Sequence, residues 1–120
     1  MSVVNLNDMR GMVENRLGFK GNSVYAVWRY NLYCVFSYGA HFPMYIFDST
    51  SFVYDEHGNP IRKGVWLGNT DKYSTTTSRH QSKCRPRTVD KWLNTEQLKD
   101  TIEQGSYIKH IIYRGEPLVA

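Results

Sequence analysis

Cysteine is scarce in this chain: 120 residues contain two, Cys34 and Cys84, far apart and with no C-x-x-C pair. That usage fits neither a secreted disulfide framework nor a zinc signature, so both are expected as free thiols. Long apolar runs are missing as well. The strongest, such as Tyr33–Phe36, span a few residues, whereas a membrane helix needs about 20, so no transmembrane helix and no membrane partner are expected. The opening segment carries Asp8, Arg10 and Glu14 where a secretory signal needs an unbroken apolar stretch, which points to a cytoplasmic protein. The histidines His41, His57, His80 and His110 are scattered, with no H-E-x-x-H arrangement to place metal ligands on one helical face. Neither a metal site nor a cofactor is expected. Internal repeats, low-complexity tracts and linker-like stretches are also lacking, which predicts a single compact domain over residues 1–120. A chain of this size buries roughly 65% of its unfolded surface, enough for a core without staples.

What is present is an uneven charge. The net +4 is carried by Lys72 to Lys91, where six basic residues (Lys72, Arg79, Lys83, Arg85, Arg87 and Lys91) face one acid, Asp90. Outside that window the net charge is slightly negative. Charge concentrated in one segment makes a local positive field that attracts a polyanion or an acidic protein surface, although a merely solvated basic face is the plainer reading.

Leu6, Met9, Val13 and Leu17 recur at helical spacing after Asn5 or Asn7, with Gly18 as a stop, and predict an N-terminal helix. Ser23 to Ser37 is dense in Val, Tyr, Trp and Phe and reads as two strands about a Tyr30-Asn31 turn. Phe42 to Phe47 gives a third, completing an antiparallel meander with breaks at Gly39 and Pro43. Asp55 to Gly64 has turn composition, and the flanking runs Ser51 to Tyr54 and Val65 to Leu67 could pair as a hairpin. After a loop at Gly68 to Asp71, a helix is predicted over Thr75 to Cys84, capped by Ser74 and stopped by Pro86. Asn94 with Gln97 resembles a capping box and Gly105 a helix stop, predicting a helix over Thr95 to Gln104 before a closing strand at Tyr107 to Tyr113. The fold class is therefore α+β: a four- or five-stranded antiparallel sheet with an N-terminal helix and two consecutive helices in the C-terminal half.

The unusual stretch is Asp71 to Pro86, in which five consecutive hydroxyl residues, Ser74 to Ser78, open a helix just before basic residues. Unpaired N–H groups and the positive dipole end of a helix favour anions, and hydroxyl and Arg donors add to them, so phosphate is the natural guest. Thr76, Arg79 and Lys83 share one helical face, with Arg85 and Arg87 just beyond its end. The candidate contact set for nucleic acid or a protein partner is Lys72, Ser74, Thr75, Thr76, Arg79, His80, Lys83, Arg85 and Arg87. The competing reading makes Ser74 an ordinary cap and the threonines local backbone partners.

His80 and Cys84 are four residues apart on the same helix, and nearby cations would depress the thiol pKa, so a thiolate–imidazole pair is geometrically possible. It lacks an orienting acid and an oxyanion site, and no catalytic residue is assigned. Tyr25, Trp28, Tyr30, Tyr33, Phe36 and Tyr38 could form a base-stacking platform, but no ribonucleoprotein signature accompanies them, and a core role is the preferred reading. Trp28 and Tyr33 are accordingly expected in the core, with Trp92 partly buried beside the last helix.

Phe36 to Tyr45 and Lys72 to Gln81, a Tyr-Ser-Tyr-type strand followed by a Tyr-Ser-x-Thr-Thr-Ser-(Arg/Lys)-His helix start, resemble a family of small uncharacterised phage- and plasmid-encoded domains. The segment from Ser49 to Lys63 is longer than that pattern. The resemblance implies a mobile-element origin, a bacterial host cytoplasm and a compact accessory role, without naming an activity. The expected function is non-catalytic binding of nucleic-acid phosphates. The alternative is a viral inhibitor that docks on an acidic patch of a host nucleic-acid-targeting defence protein; a Cys84-dependent enzyme is least favoured. The positive charge argues against inhibition by DNA mimicry.

Overall fold

The computed structural model describes residues 4–39, 42–55, 57–72, 74–107, 112–113 and 116–117. A 3-10 turn at Leu6–Asp8 runs into helix α1 (Met9–Glu14), followed by strands β1 (Phe19–Lys20), β2 (Val24–Arg29), β3 (Leu32–Ser37), β4 (Pro43–Tyr54) and β5 (Pro60–Asn69). Helix α2 (Thr75–Cys84), strand β6 (Lys91–Leu93), helix α3 (Thr95–Gln104) and the short strands β7 (Ile112–Tyr113) and β8 (Glu116–Pro117) complete the chain. None of the described helices is long and apolar enough to cross a membrane.

Strands β1 to β6 lie side by side in chain order. The pairs from β1 to β5 are antiparallel, whereas β5–β6 is parallel, as is the pairing of β7 with the far end of β4. The α+β class holds, but the sheet is larger than four or five strands and is mixed. The reason lies in the connection: α2 carries the chain back along β5, so the next strand can only run parallel to it. Because β6 has three residues, Lys91-Trp92-Leu93, no alternation announces it, and α2 and α3 are separated by a strand rather than consecutive.

Every side chain of β3 is buried. Tyr33 and Val35 pack with Val24, Ala26, Tyr45, Trp66, Met9, Val13 and Cys84 on the face covered by α1 and α2. Leu32, Cys34 and Phe36 pack with Ile46, Val65, Leu67, Leu93 and Leu98 on the face covered by α3. A strand enclosed on both sides reads as a continuous apolar run, as Leu32–Phe36 does. Tyr30 turns β2 into β3 with φ +56°, a left-handed conformation that a two-residue hairpin requires. Tyr33 is core as expected, but Trp28 is 42% exposed, near the end of a peripheral strand, with its indole N–H donating to the Arg16 carbonyl at 2.9 Å. Leu17 is 48% exposed, because α1 ends at Glu14 and Arg16 turns the chain away with φ +52°.

The two runs read as separate strands at Phe42–Phe47 and Ser51–Tyr54 are one twelve-residue strand, β4, interrupted by a bulge. Val65–Leu67 pairs with Ile46–Asp48, and Phe52 and Val53 pair with Lys63 and Arg62, so the hairpin register differs from the expected one. Gly64 sits opposite the bulge at φ +101°, where a Cβ would lie 2.3 Å from the Phe47 ring. Asp48, fully buried, organises the bulge: its Oδ1 accepts the Thr50 N–H at 2.8 Å and the Thr50 hydroxyl at 2.6 Å, and its Oδ2 accepts the Ser51 hydroxyl and the Tyr107 N–H. Of the expected closing strand, Ile112–Tyr113 is observed, and residues 108–111 lie outside the described set.

Burial alone would push the Asp48 carboxyl upward, but the four donors together outweigh it and hold its pKa below the ordinary value. A depressed carboxylate contributes stability that is complete above its unfolded pKa of about 3.9 and is lost as pH falls through the folded value. Asp48→Asn, which turns an acceptor into a donor facing other donors, should therefore cost about 1–3 kcal/mol in urea unfolding at neutral pH. It should also flatten the loss of stability on acidification. A variant as stable as the parent would remove Asp48 as the organiser of the bulge.

Candidate nucleic-acid interface

The hydroxyl-rich segment folds as its pattern predicts. Ser74 has extended backbone geometry and its Oγ accepts the Thr77 N–H at 3.1 Å, capping α2, while Thr77, His80, Gln81 and Cys84 form the buried face. Lys72, Ser74, Thr75, Thr76, Arg79 and Lys83 are solvent-exposed, as are Arg85 and Arg87 in the extended segment that follows. Tyr73 lies outside the described residues, as do Ala40 and His41 of the first resemblance motif. The cap reading of Ser74 is thus satisfied geometrically, and the outer face of α2 presents Thr76, Arg79 and Lys83 together.

His80 departs from the expected set. It is 7% exposed, its Nδ1 lies 2.8 Å from the buried Ser37 hydroxyl, and its ring stacks obliquely on Tyr38. Burial first, then the neighbouring Arg79 charge, lowers its pKa and favours the neutral ring, so it is a packing residue and not a cationic contact.

Cys84 is fully buried with its Sγ 3.8 Å from the Met9 sulfur. Desolvation pushes its thiol up to about 12 against the smaller opposing effect of Arg10, the reverse of the depression expected from nearby cations. The imidazole four residues earlier is engaged by Ser37, so the thiolate–imidazole pair is not assembled. Cys34 is buried in β3 and likewise raised to about 12.

No described carboxylate forms an ion pair with Lys72, Arg79, Lys83, Arg85 or Arg87. Asp90, the single acid of the basic window, is withdrawn from the row: it pairs with Arg62 and accepts the Trp66 N–H at 2.8 Å. Arg10 of α1 joins the row from a distant part of the chain, its guanidinium donating to the Ser82 carbonyl at 2.6 Å. Arg10, Glu14, Arg85, Pro86 and Arg87 line an open cleft of about 360 Å³, with the Glu14 carboxylate accepting the Arg87 backbone N–H. Sequence spacing missed Arg10 because the α1–α2 contact is long-range.

Trp92 meets one of these cations, with the Arg85 guanidinium 5.3 Å from its ring centroid. No protein-family model matches the chain, and no curated protein or solved structure matches it either.

Both thiols should be inert in the folded protein. A chromogenic disulfide reagent near pH 8 should titrate no thiol until denaturant is added, and then both. Rapid labelling of the native protein would place a thiol at the surface and reopen nucleophilic chemistry at Cys84.

Proposed function

We propose that this protein is a non-catalytic nucleic-acid-binding protein that engages phosphates through Arg79, Lys83, Arg85 and Arg87, with Lys72, Ser74, Thr75 and Thr76 at the start of the same surface. The observation that carries this reading is the exposed row of cations with no carboxylate partner among the described residues. The Glu14 carboxylate lies beside Arg85 and Arg87 and accepts the Arg87 backbone N–H, but one acid leaves the row with a net positive charge, and such a row raises a local field that concentrates polyanions. The resemblance to phage- and plasmid-encoded domains fits an accessory role for a mobile element in a bacterial cytoplasm.

Each phosphate neutralised releases condensed counterions, so the logarithm of affinity should fall with the logarithm of salt at about −0.9 per contact on duplex DNA and about −0.7 on single strands. Four contacts give a slope of roughly −3 to −4. Arg79→Ala should make it shallower by about one unit and weaken unrelated sequences almost equally, because phosphate contacts position a protein without reading bases. Binding titrations across a salt series on both kinds of oligonucleotide measure this. A parent protein that binds neither at low salt would overturn the proposal and favour an acidic protein surface, such as a host defence factor, as the partner.

A further inference from the structure

Resting on that reading, we infer that the ligand is single-stranded nucleic acid, and that Trp92 is the platform on which one of its bases stacks. Trp92 is 41% exposed on β6, the edge strand next to β5. Its register partner Gly68 has no side chain, and a Cβ there would lie 2.6 Å from the indole Cζ3. The ring is thus seated directly against the backbone of β5, and Tyr45 meets it at 66° with centroids 6.5 Å apart. A ring held in this way is presented without the entropy loss that ordering a free side chain would bring.

Charge complementarity selects the occupant. Arg85, whose guanidinium lies over the ring, has no described carboxylate partner and is suited to a backbone phosphate of the strand whose base the indole receives. An exposed Arg–Trp contact is weaker than a stacked base, so Arg85 can leave the ring for a phosphate as the base takes its place. A duplex keeps its bases paired and stacked inside and cannot offer a face to an indole at a sheet edge. The other exposed tryptophan, Trp28, lies on β2 toward the opposite edge of the sheet, beside Tyr33 and with its indole N–H on the Arg16 carbonyl, and serves as the internal control.

The test compares parent, Trp92→Leu and Trp28→Leu on a single-stranded oligonucleotide and its duplex across a salt series, with thermal melts confirming folding. Trp92→Leu keeps an apolar body over Gly68 but has no π face. It should weaken single-strand binding about 5- to 100-fold, the range of one stacked base, with the salt slope and duplex binding unchanged. Trp28→Leu should bind as the parent does. If Trp92→Leu melts early, Trp92→Phe should fold and retain most of the single-strand preference, and a phenylalanine variant that loses all preference would count against stacking. Equal loss on both ligands, or none on either, overturns the inference while leaving the phosphate reading intact. Absence of any binding by the parent overturns the phosphate reading itself.

Discussion

The burial of β3 on both faces is the constraint from which the rest of this architecture follows. Tyr33 and Val35 point to one side of the sheet and Leu32, Cys34 and Phe36 to the other, and all five are removed from water. Burying a large apolar side chain is worth about 1.5–3 kcal/mol, so neither face can be left open without forfeiting much of a total stability of about 5–15 kcal/mol. The chain must therefore supply helical cover on both sides. It places α1 and α2 on one face and α3 on the other, and a short parallel strand, β6, lies between α2 and α3. The basic residues at the end of α2 lie beside α1 because of that arrangement.

Where the chain leaves β5, backbone groups would be buried without partners, and a polar knot meets that need. The Asn69 side chain donates to the Pro43 carbonyl at 2.7 Å and to the Thr95 hydroxyl at 3.0 Å, while its Oδ1 accepts the Asp71 N–H at 2.8 Å. From α2, the Gln81 Nε2 donates to the carbonyls of Asn69 and Asp71, and the Asp71 carboxylate accepts the Thr95 N–H at 2.9 Å. These bonds tie the end of β5, the buried face of α2 and the start of α3 together. The buried Gln81 Oε1 has no hydrogen-bond partner among the described residues, but the other bonds still favour one arrangement, because any alternative strands several of these groups at about 1–3 kcal/mol each.

Local signals carried the parts of the fold that local physics decides. Ser74 before Thr75, and Asn94 with Gln97 before a run closed by Gly105, mark both ten-residue helices at their observed bounds, because capping is settled within four residues of chain. The Tyr30-Asn31 turn is equally local. Long-range features were not legible: polar Ser49-Thr50-Ser51 breaks the apolar pattern of β4, and the strand continues through it with Thr50, Ser51 and the distant Tyr107 all donating to the buried Asp48 carboxylate. At the candidate site, helical spacing placed Thr76, Arg79 and Lys83 on one face. It could not show that His80, one residue further, turns inward to Ser37, or that Arg10 arrives from α1. The seat of Trp92 on Gly68 likewise depends on a parallel pairing that no pattern in Lys91–Leu93 discloses.

The two ten-residue helices of this chain treat their own electrostatics differently, and the contrast bears on what α2 is for. Helix α3 has Glu96 in its first turn, a reciprocal capping box and a left-handed glycine at its end, a set of choices that favours the helix in isolation. Helix α2 has no acid in its first turn, places hydroxyls there instead, and follows them with Arg79 and Lys83 four residues apart on the solvent side. Like charges at that spacing destabilise a helix by a few tenths of a kcal/mol, and an acid at the N-terminus would have added about 0.3–1 kcal/mol. The helix is held instead by its buried face, through Cys84 against Met9 and the Gln81 carbonyl accepting the Tyr45 hydroxyl at 2.7 Å. Anchored from within, its outer face is free to keep positive charge unbalanced, and a bound polyanion would relieve that repulsion.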